Sequence, residues 1–248
     1  MRKKLSIILF ILIISIFTVA CSNKKEKDNS NVLVTLVLDK GGVNDESFNQ
    51  LAWEGAKKAS IEYGIKIKYL ESNIDADYKS NLEQAVDLDS NLIIAVGFNL
   101  SEALKEAAIY YPKSSFAIID GSFDKIPENV TNINFDEGEA GYLAGLASAK
   151  TLDSNKFGFI GGISVPAVEN YKEGFEKGLL EVNPNIELSV QYANSFSDAA
   201  KGKAIATQMY NNDINCIMSA GGGVNNGVYE VAREKGKYAV GVDMAQNY

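Results

Sequence analysis

One order of elements is written twice in this chain, and that constrains its fold more than any other feature. From Val32 onward, short apolar runs alternate with amphipathic stretches. Strands are expected at 32–38, 65–70, 92–96, 115–119, 131–135, 156–160, 186–192, 214–219 and 238–242. Helices are expected near 47–64, 76–89, 100–111, 137–150, 167–182, 198–211 and 225–235. Such alternation predicts βαβ units, hence mostly parallel sheets flanked by helices. The repeat lies on top of this pattern. "GGVNDESFNQLAWEGAKKA" is echoed by "GGISVPAVENYKEGFEKGL", each a glycine pair after a strand with Glu-Gly in mid-helix. "IIAVGFNLSEALKEAAIYYPKSSFAIIDGS" is echoed by "CIMSAGGGVNNGVYEVAREKGKYAVGVDMA". Gly42 thus pairs with Gly162, Gly97 with Gly221 and Asp120 with Asp243, all at nearly one offset. Two similar α/β lobes follow, 32–150 and 151–248, with the boundary in "KTLDSNK" at 150–156.

The residues ahead of the repeat belong to another category. "MRKK" is a positive n-region, and the apolar run to Ala20 ends in small residues before Cys21. Residues 1–20 form a secretory signal. A cysteine just after the cleavage site resembles the bacterial lipoprotein signal, with Cys21 acylated as the new N-terminus. The alternative is an uncleaved membrane anchor, for which the apolar run is short. Either way the protein is membrane-held and extracytoplasmic. Residues 22–31, "SNKKEKDNSN", read as a flexible tether after Cys21. The other cysteine, Cys216, lies in the strand-like run "INCIMSA" and is expected to be buried as a small hydrophobe.

Charge and composition remove several functions. The formal net charge is −8, a poor basis for binding nucleic acid. The chain has no histidine, the commonest general base and metal ligand. No Cys/His cluster suggests a metal, and no carboxylate pair is singled out for acid–base work, so no catalytic residue and no cofactor is expected. "GGGVNN" misses the dinucleotide fingerprint, no Walker sequence is present, and Asp45 and Glu46 already occupy the first helix N-terminus, where an anion would sit.

Ligands of open α/β sheets bind beyond the strand C-terminal ends. The polar and glycine-rich segments gather there: Asp39–Asp45, Gly97–Asn99, Asp120-Gly121, Gly161-Gly162, Gly221–Asn226 and Asp243. A neutral ligand rich in hydroxyl and amide-like groups fits these side chains, because carboxylates accept hydrogen bonds and asparagines do either. Phe48 and Phe196 stand where a planar group could stack. Each also has a packing role open to it. Phe48 falls on an apolar stripe with Leu51, Ala52, Gly55, Ala56 and Ala59. Phe196 could staple a helix capped by Ser197, and Ser47 with Gln50 could form a capping box. Asp120 and Asp243 could cap turns, though their equivalent places in the repeat favour ligand contact. Trp53 reads as buried scaffold.

These segments also carry a resemblance. "DKGGVNDESFNQLAWEGAKKA", with "IIAVGF", "FAIIDG", "GYLAGLASA", "GFIGG" and "GVD", resembles the basic membrane protein family of lipoproteins, the PnrA- and TmpC-like purine-nucleoside receptors of ABC transporters. The resemblance runs from Val32 to the end of the chain. It implies a type I periplasmic-binding-protein fold, a purine nucleoside held between the lobes, and a permease as partner. It implies that Phe48 and Phe196 sandwich the base and that Asp120 bonds the base edge, with Asn49 and Asp39 nearby. Gly221, Gly222 and Asp243 would hold the ribose, and Asn44 and Asp45 match the family's polar loop. A ribose-type sugar receptor is the alternative within binding proteins. A surface adhesin or antigen, or a sensor signalling to a membrane partner, are the alternatives from other classes.

The repeat carries one further expectation. Asp120 is followed by a strand and a helix, whereas only "MAQNY" follows Asp243. The second lobe is therefore expected to be incomplete, with an open sheet edge and weakened ligand binding.

Overall fold

The computed structural model describes residues 31–244. The signal at 1–20, Cys21 and the tether up to Ser30 lie outside the described residues. The first sheet has five parallel strands: β1 (Leu33–Leu38), β2 (Lys66–Leu70), β3 (Leu92–Val96), β4 (Phe116–Ile119) and β5 (Val130–Ile133), in the order β2-β1-β3-β4-β5. The second has four: β6 (Lys156–Gly161), β7 (Glu187–Tyr192), β8 (Cys216–Ala220) and β9 (Tyr238–Val240), in the order β7-β6-β8-β9. The helices are α1 (Phe48–Tyr63), α2 (Asp77–Asp87), α3 (Ser101–Tyr110), α4 (Glu137–Thr151), α5 (Pro166–Val182), α6 (Ala199–Asn211) and α7 (Val224–Lys235). All sixteen expected elements are present within a residue or two of their expected bounds.

The central strands are almost entirely apolar because both faces are covered. In "LVTLVL" of β1 the polar exception, Thr35, is fully buried, and its hydroxyl bonds Ser90 Oγ at 2.7 Å. On one face Val37, Ile93, Phe116 and Ile118 pack under Leu82 of α2 and Leu104 of α3. On the other, Val34, Leu36 and Leu38 meet Phe48, Ala52, Trp53 and Ala56 of α1. The second sheet repeats the plan. Ile160 and Ile217 lie under Met209 of α6 and Val228 of α7. Phe157, Phe159 and Met218 lie under Phe175 and Leu179 of α5. Cys216 is buried in that second layer, and burial raises its thiol pKa to about 11.

Several local expectations are corrected. The α1 stripe is narrower than its sequence suggests: Leu51 is 42% exposed and Gly55 is exposed, while Trp53, half-buried, stands edge-on to Tyr69 with centroids 4.9 Å apart. Ser47 makes no side-chain cap. Asp45 caps α1 instead, its two oxygens accepting from the backbone N–H groups of Ser47, Asn49 and Gln50 at 2.9–3.0 Å. Likewise Asp198, not Ser197, caps α6 by accepting from Lys201 N.

Helix α4 lies before the expected boundary yet packs with the second sheet, its Ala144, Ala149 and Leu152 joining the cluster around Phe157. It also meets α5 backbone to backbone. A Cβ at Gly174 would collide with the carbonyl oxygen of Gly138, and one at Gly141 with that of Tyr171. The glycines of "EGEAGYLAG" and "EGFEKG" are what permit this approach. Gly55, the repeat partner of Gly174, has nothing within 4 Å of where its Cβ would lie.

Candidate ligand-binding site

The strand C-terminal ends of the two sheets enclose a cavity of about 520 Å³. Asp39, Asp45, Phe48, Asn49, Asp120, Phe196, Gly221, Gly222 and Asp243 all line it. Asn44 does not: it is exposed and lies outside the lining.

Each aromatic ring rests on a glycine at a strand end. The Phe48 ring lies 3.7 Å from where a Cβ of Gly97 would be, at the end of β3. The Phe196 ring occupies the space a side chain at Gly162 would need, just after β6. Phe196 is also held by its backbone, its carbonyl accepting from Gly223 N at 2.8 Å. A Cβ at Gly222, whose φ is +59°, would press on that same carbonyl oxygen. The glycines therefore create floors on which one phenylalanine from each lobe is laid.

The polar groups form a connected set. Asp39 Oδ1 accepts from Asn49 Nδ2 at 2.7 Å and from Gly41 N at 3.0 Å, and Oδ2 accepts from Asn99 Nδ2 at 3.2 Å. Both side-chain amides are thereby turned so that their donors point at Asp39. Asn49 Oδ1 is left buried with no hydrogen-bond partner among the described residues, and so is Asp120 Oδ1. The two repeat-related aspartates share a left-handed backbone, φ 55° at Asp120 and 71° at Asp243. Asp120 is fixed by its neighbours: its N–H donates to Ile133 O, and Asn132 clamps Gly121 through both backbone groups. Asp243 Oδ2 accepts from Ser47 Oγ at 2.6 Å, joining the lobes, and Asn226 Nδ2 donates to Asp45 O at 3.5 Å beside it.

The lining is acidic. Among the described residues it includes Asp39, Asp45, Asp120, Asp136, Glu137 and Asp243, and no lysine or arginine. Burial, then Glu137, then Asp243 raise the Asp120 pKa to about 6. Burial raises that of Asp243 as well; the Ser47 hydrogen bond opposes this and the Asp45 charge adds to it. Tyr171 is pushed to about 12 by burial and by Asp243, Glu137 and Asp120. Such a cavity repels phosphate and favours an occupant that donates hydrogen bonds. Among the described residues no group of three or more potential metal-ligating side chains is assembled.

Sequence reasoning missed Phe98, Glu137 and Tyr171. Phe98, in a 3-10 turn (Phe98–Leu100) after β3, reaches from the first lobe to the apolar cluster of the second. Its signal was available, since it follows the strand-end Gly97. Glu137 opens α4 and is only 4% exposed, accepting from Asn170 Nδ2 at 3.1 Å. Neither Glu137 nor Tyr171 carries a local signal, because only the α4–α5 contact turns them toward Asp120.

Residues 32–248 match the family of PnrA-like ABC transporter substrate-binding proteins, Bmp. This chain belongs to the Bmp family. The CD4+ T-cell-stimulating antigen of Listeria innocua is 39% identical over 89% of this chain and 65% of its own length. The ABC transporter nucleoside-binding protein BmpA of Lactococcus lactis is 38% identical over 92% of this chain and 68% of its own. Basic membrane protein A of Borreliella burgdorferi is 37% identical over 98% and 72%. The chain thus spans about two thirds of the length of these Bmp relatives. Among solved structures, an ABC transporter solute-binding protein from Aeropyrum pernix superposes with a TM-score of 0.74 at 28% identity, covering 85% of this chain and 61% of its own. A sugar transporter structure from Clostridium phytofermentans shares the fold at TM-score 0.66 and 19% identity. The fold is the two-lobed α/β fold of type I periplasmic binding proteins.

Proposed function

We propose that this Bmp-family chain is an extracytoplasmic lipoprotein that captures purine nucleosides between its lobes and delivers them to an ABC transporter permease. The observation that carries the reading is the cavity itself. Phenylalanines from both lobes line it, Phe48 and Phe196 among them, and its unpartnered buried side-chain atoms, Asn49 Oδ1 and Asp120 Oδ1, are acceptors. A purine offers a flat face to the rings and N–H donors at its edge. Ribose hydroxyls suit the Asp243 carboxylate, with Gly221 and Gly222 also in the lining. A sugar alone would leave the aromatic surface without a planar partner. The Lactococcus relative, named a nucleoside-binding protein, supports the same reading. The antigen name of the Listeria relatives is compatible with a surface lipoprotein of either role. Asp45 acts here as the cap that fixes α1, its oxygens being engaged by backbone N–H groups. Cys21 carries the lipid anchor in this account.

Stacking a base on an aromatic ring contributes about 1–3 kcal/mol. Phe48→Ala is therefore expected to weaken nucleoside affinity roughly ten- to a hundred-fold by titration calorimetry. Unchanged affinity, or a variant that unfolds, would return Phe48 to core packing.

A further inference from the structure

Ser47 is buried at the start of α1, yet its hydroxyl does not serve that helix. The capping role is filled by Asp45, which leaves the Ser47 Oγ–H to cross the cleft and donate to Asp243 Oδ2 at 2.6 Å. Asp243 takes no other hydrogen bond among the described residues, and it lines the cavity. It lies three residues beyond β9, past the last ladder pair at Val240, with a left-handed backbone. Asn226 Nδ2 reaches Asp45 O at 3.5 Å, so this bond and that of Ser47 land on the same three-residue segment, Asp45–Ser47.

We propose that Ser47 is a positioning residue: its bond to Asp243 couples closure of the cleft to the orientation of the carboxylate that receives the ligand. The assignment rests on the nucleoside reading for its ligand and on the cross-lobe bond for its mechanism. When the lobes part, Asp243 loses its donor and turns freely. When they close, Oδ2 is fixed and Oδ1 is presented to the cavity. The hydroxyl also opposes the burial that raises the Asp243 pKa. The other groups facing Asp243 are Asp45 beside Ser47, Asp120 at the end of β4 and Tyr171 on α5; Asp45 and Asp120 carry negative charge when ionised, and none of the three offers it a cation.

The test is a double-mutant cycle on the full chain with guanosine, inosine and adenosine as probes. Ser47→Ala is expected to weaken binding about ten-fold, the loss of one hydrogen bond to a charged group. In an Asp243→Ala background the same change is expected to have almost no effect. The pH below which binding fails should rise in Ser47→Ala, because Asp243 without its donor ionises at higher pH. Equal losses in both backgrounds, or an unmoved pH profile, would overturn the assignment. Hydrogen exchange of the ligand-free chain tests the coupling without any nucleoside. Ser47→Ala should speed exchange at residues 240–244 in the second lobe while α1, still capped by Asp45, stays protected. Unchanged exchange at 240–244 would overturn the coupling. Failure of wild type to bind any probe would count against the nucleoside reading alone.

Discussion

Replacing Asp120 by asparagine should stabilise the empty protein and weaken its binding. The carboxyl is partly buried, and its pKa stands at about 6 against an ordinary 3.8, with burial the largest cause and Glu137 and Asp243 next. A raised carboxylate pKa means that the folded state holds a proton the unfolded chain has already lost. Stability therefore falls as pH rises from about 4 to 6, and the penalty is constant above that window. A shift of this size is worth about 3 kcal/mol in a dry site. Solvent in the open cleft screens it, which leaves about 1–2 kcal/mol. Asp120→Asn keeps the shape and removes the charge, so above pH 7 its melting temperature should exceed that of wild type by about 2–8 °C. At pH 4 the two should melt together. Denaturant titrations at both pH values provide the assay. A variant no more stable than wild type at pH 8 would refute the argument, as would a gap of the same size at pH 4. The expected loss of nucleoside affinity in the same variant would make this site a local cost to stability retained for binding.

Two other perturbations address different links. Gly174→Val should destabilise by about 2–3 kcal/mol, because its side chain must push α4 away from α5, whereas Gly55→Ala, with open space around it, should be neutral or mildly stabilising; equal effects in urea titrations would show that the α4–α5 contact is not tight. Cys21→Ser should move the protein from the membrane fraction to the soluble one, and continued sedimentation with membranes would exclude the lipid anchor.

What could be read from the sequence, and what could not, follows from how local each signal is. Strands such as β1 and β8 are covered on both faces, so burial alone writes them as continuous apolar runs. The repeat placed Asp120 and Asp243 at equivalent points, and both adopt the same left-handed backbone. The cap of α1 was less legible. Asn44, Asp45 and Ser47 are all good capping residues within one short segment, and only the path of the loop decides that Asp45 reaches the N–H groups while Ser47 turns to the other lobe. The same loop leaves Asn44 outside in solvent. The α1 stripe overcounted because helical periodicity marks apolar residues without saying which surface they meet: Leu51 lines the cavity and Gly55 meets nothing. Glu137 and Tyr171 were invisible because their place beside Asp120 comes from the glycine contact between two helices, a relation between distant segments that no local pattern encodes.

The most direct test is a thermal-shift panel on the chain from residue 22 onward, with purine nucleosides, pyrimidine nucleosides, free bases, ribose and other sugars at millimolar concentration. A ligand that binds only the folded state raises the melting temperature by mass action. The account predicts a rise with purine nucleosides, a smaller one with free purine bases, and none with sugars. No rise with any nucleoside, or a rise with sugars alone, would contradict it.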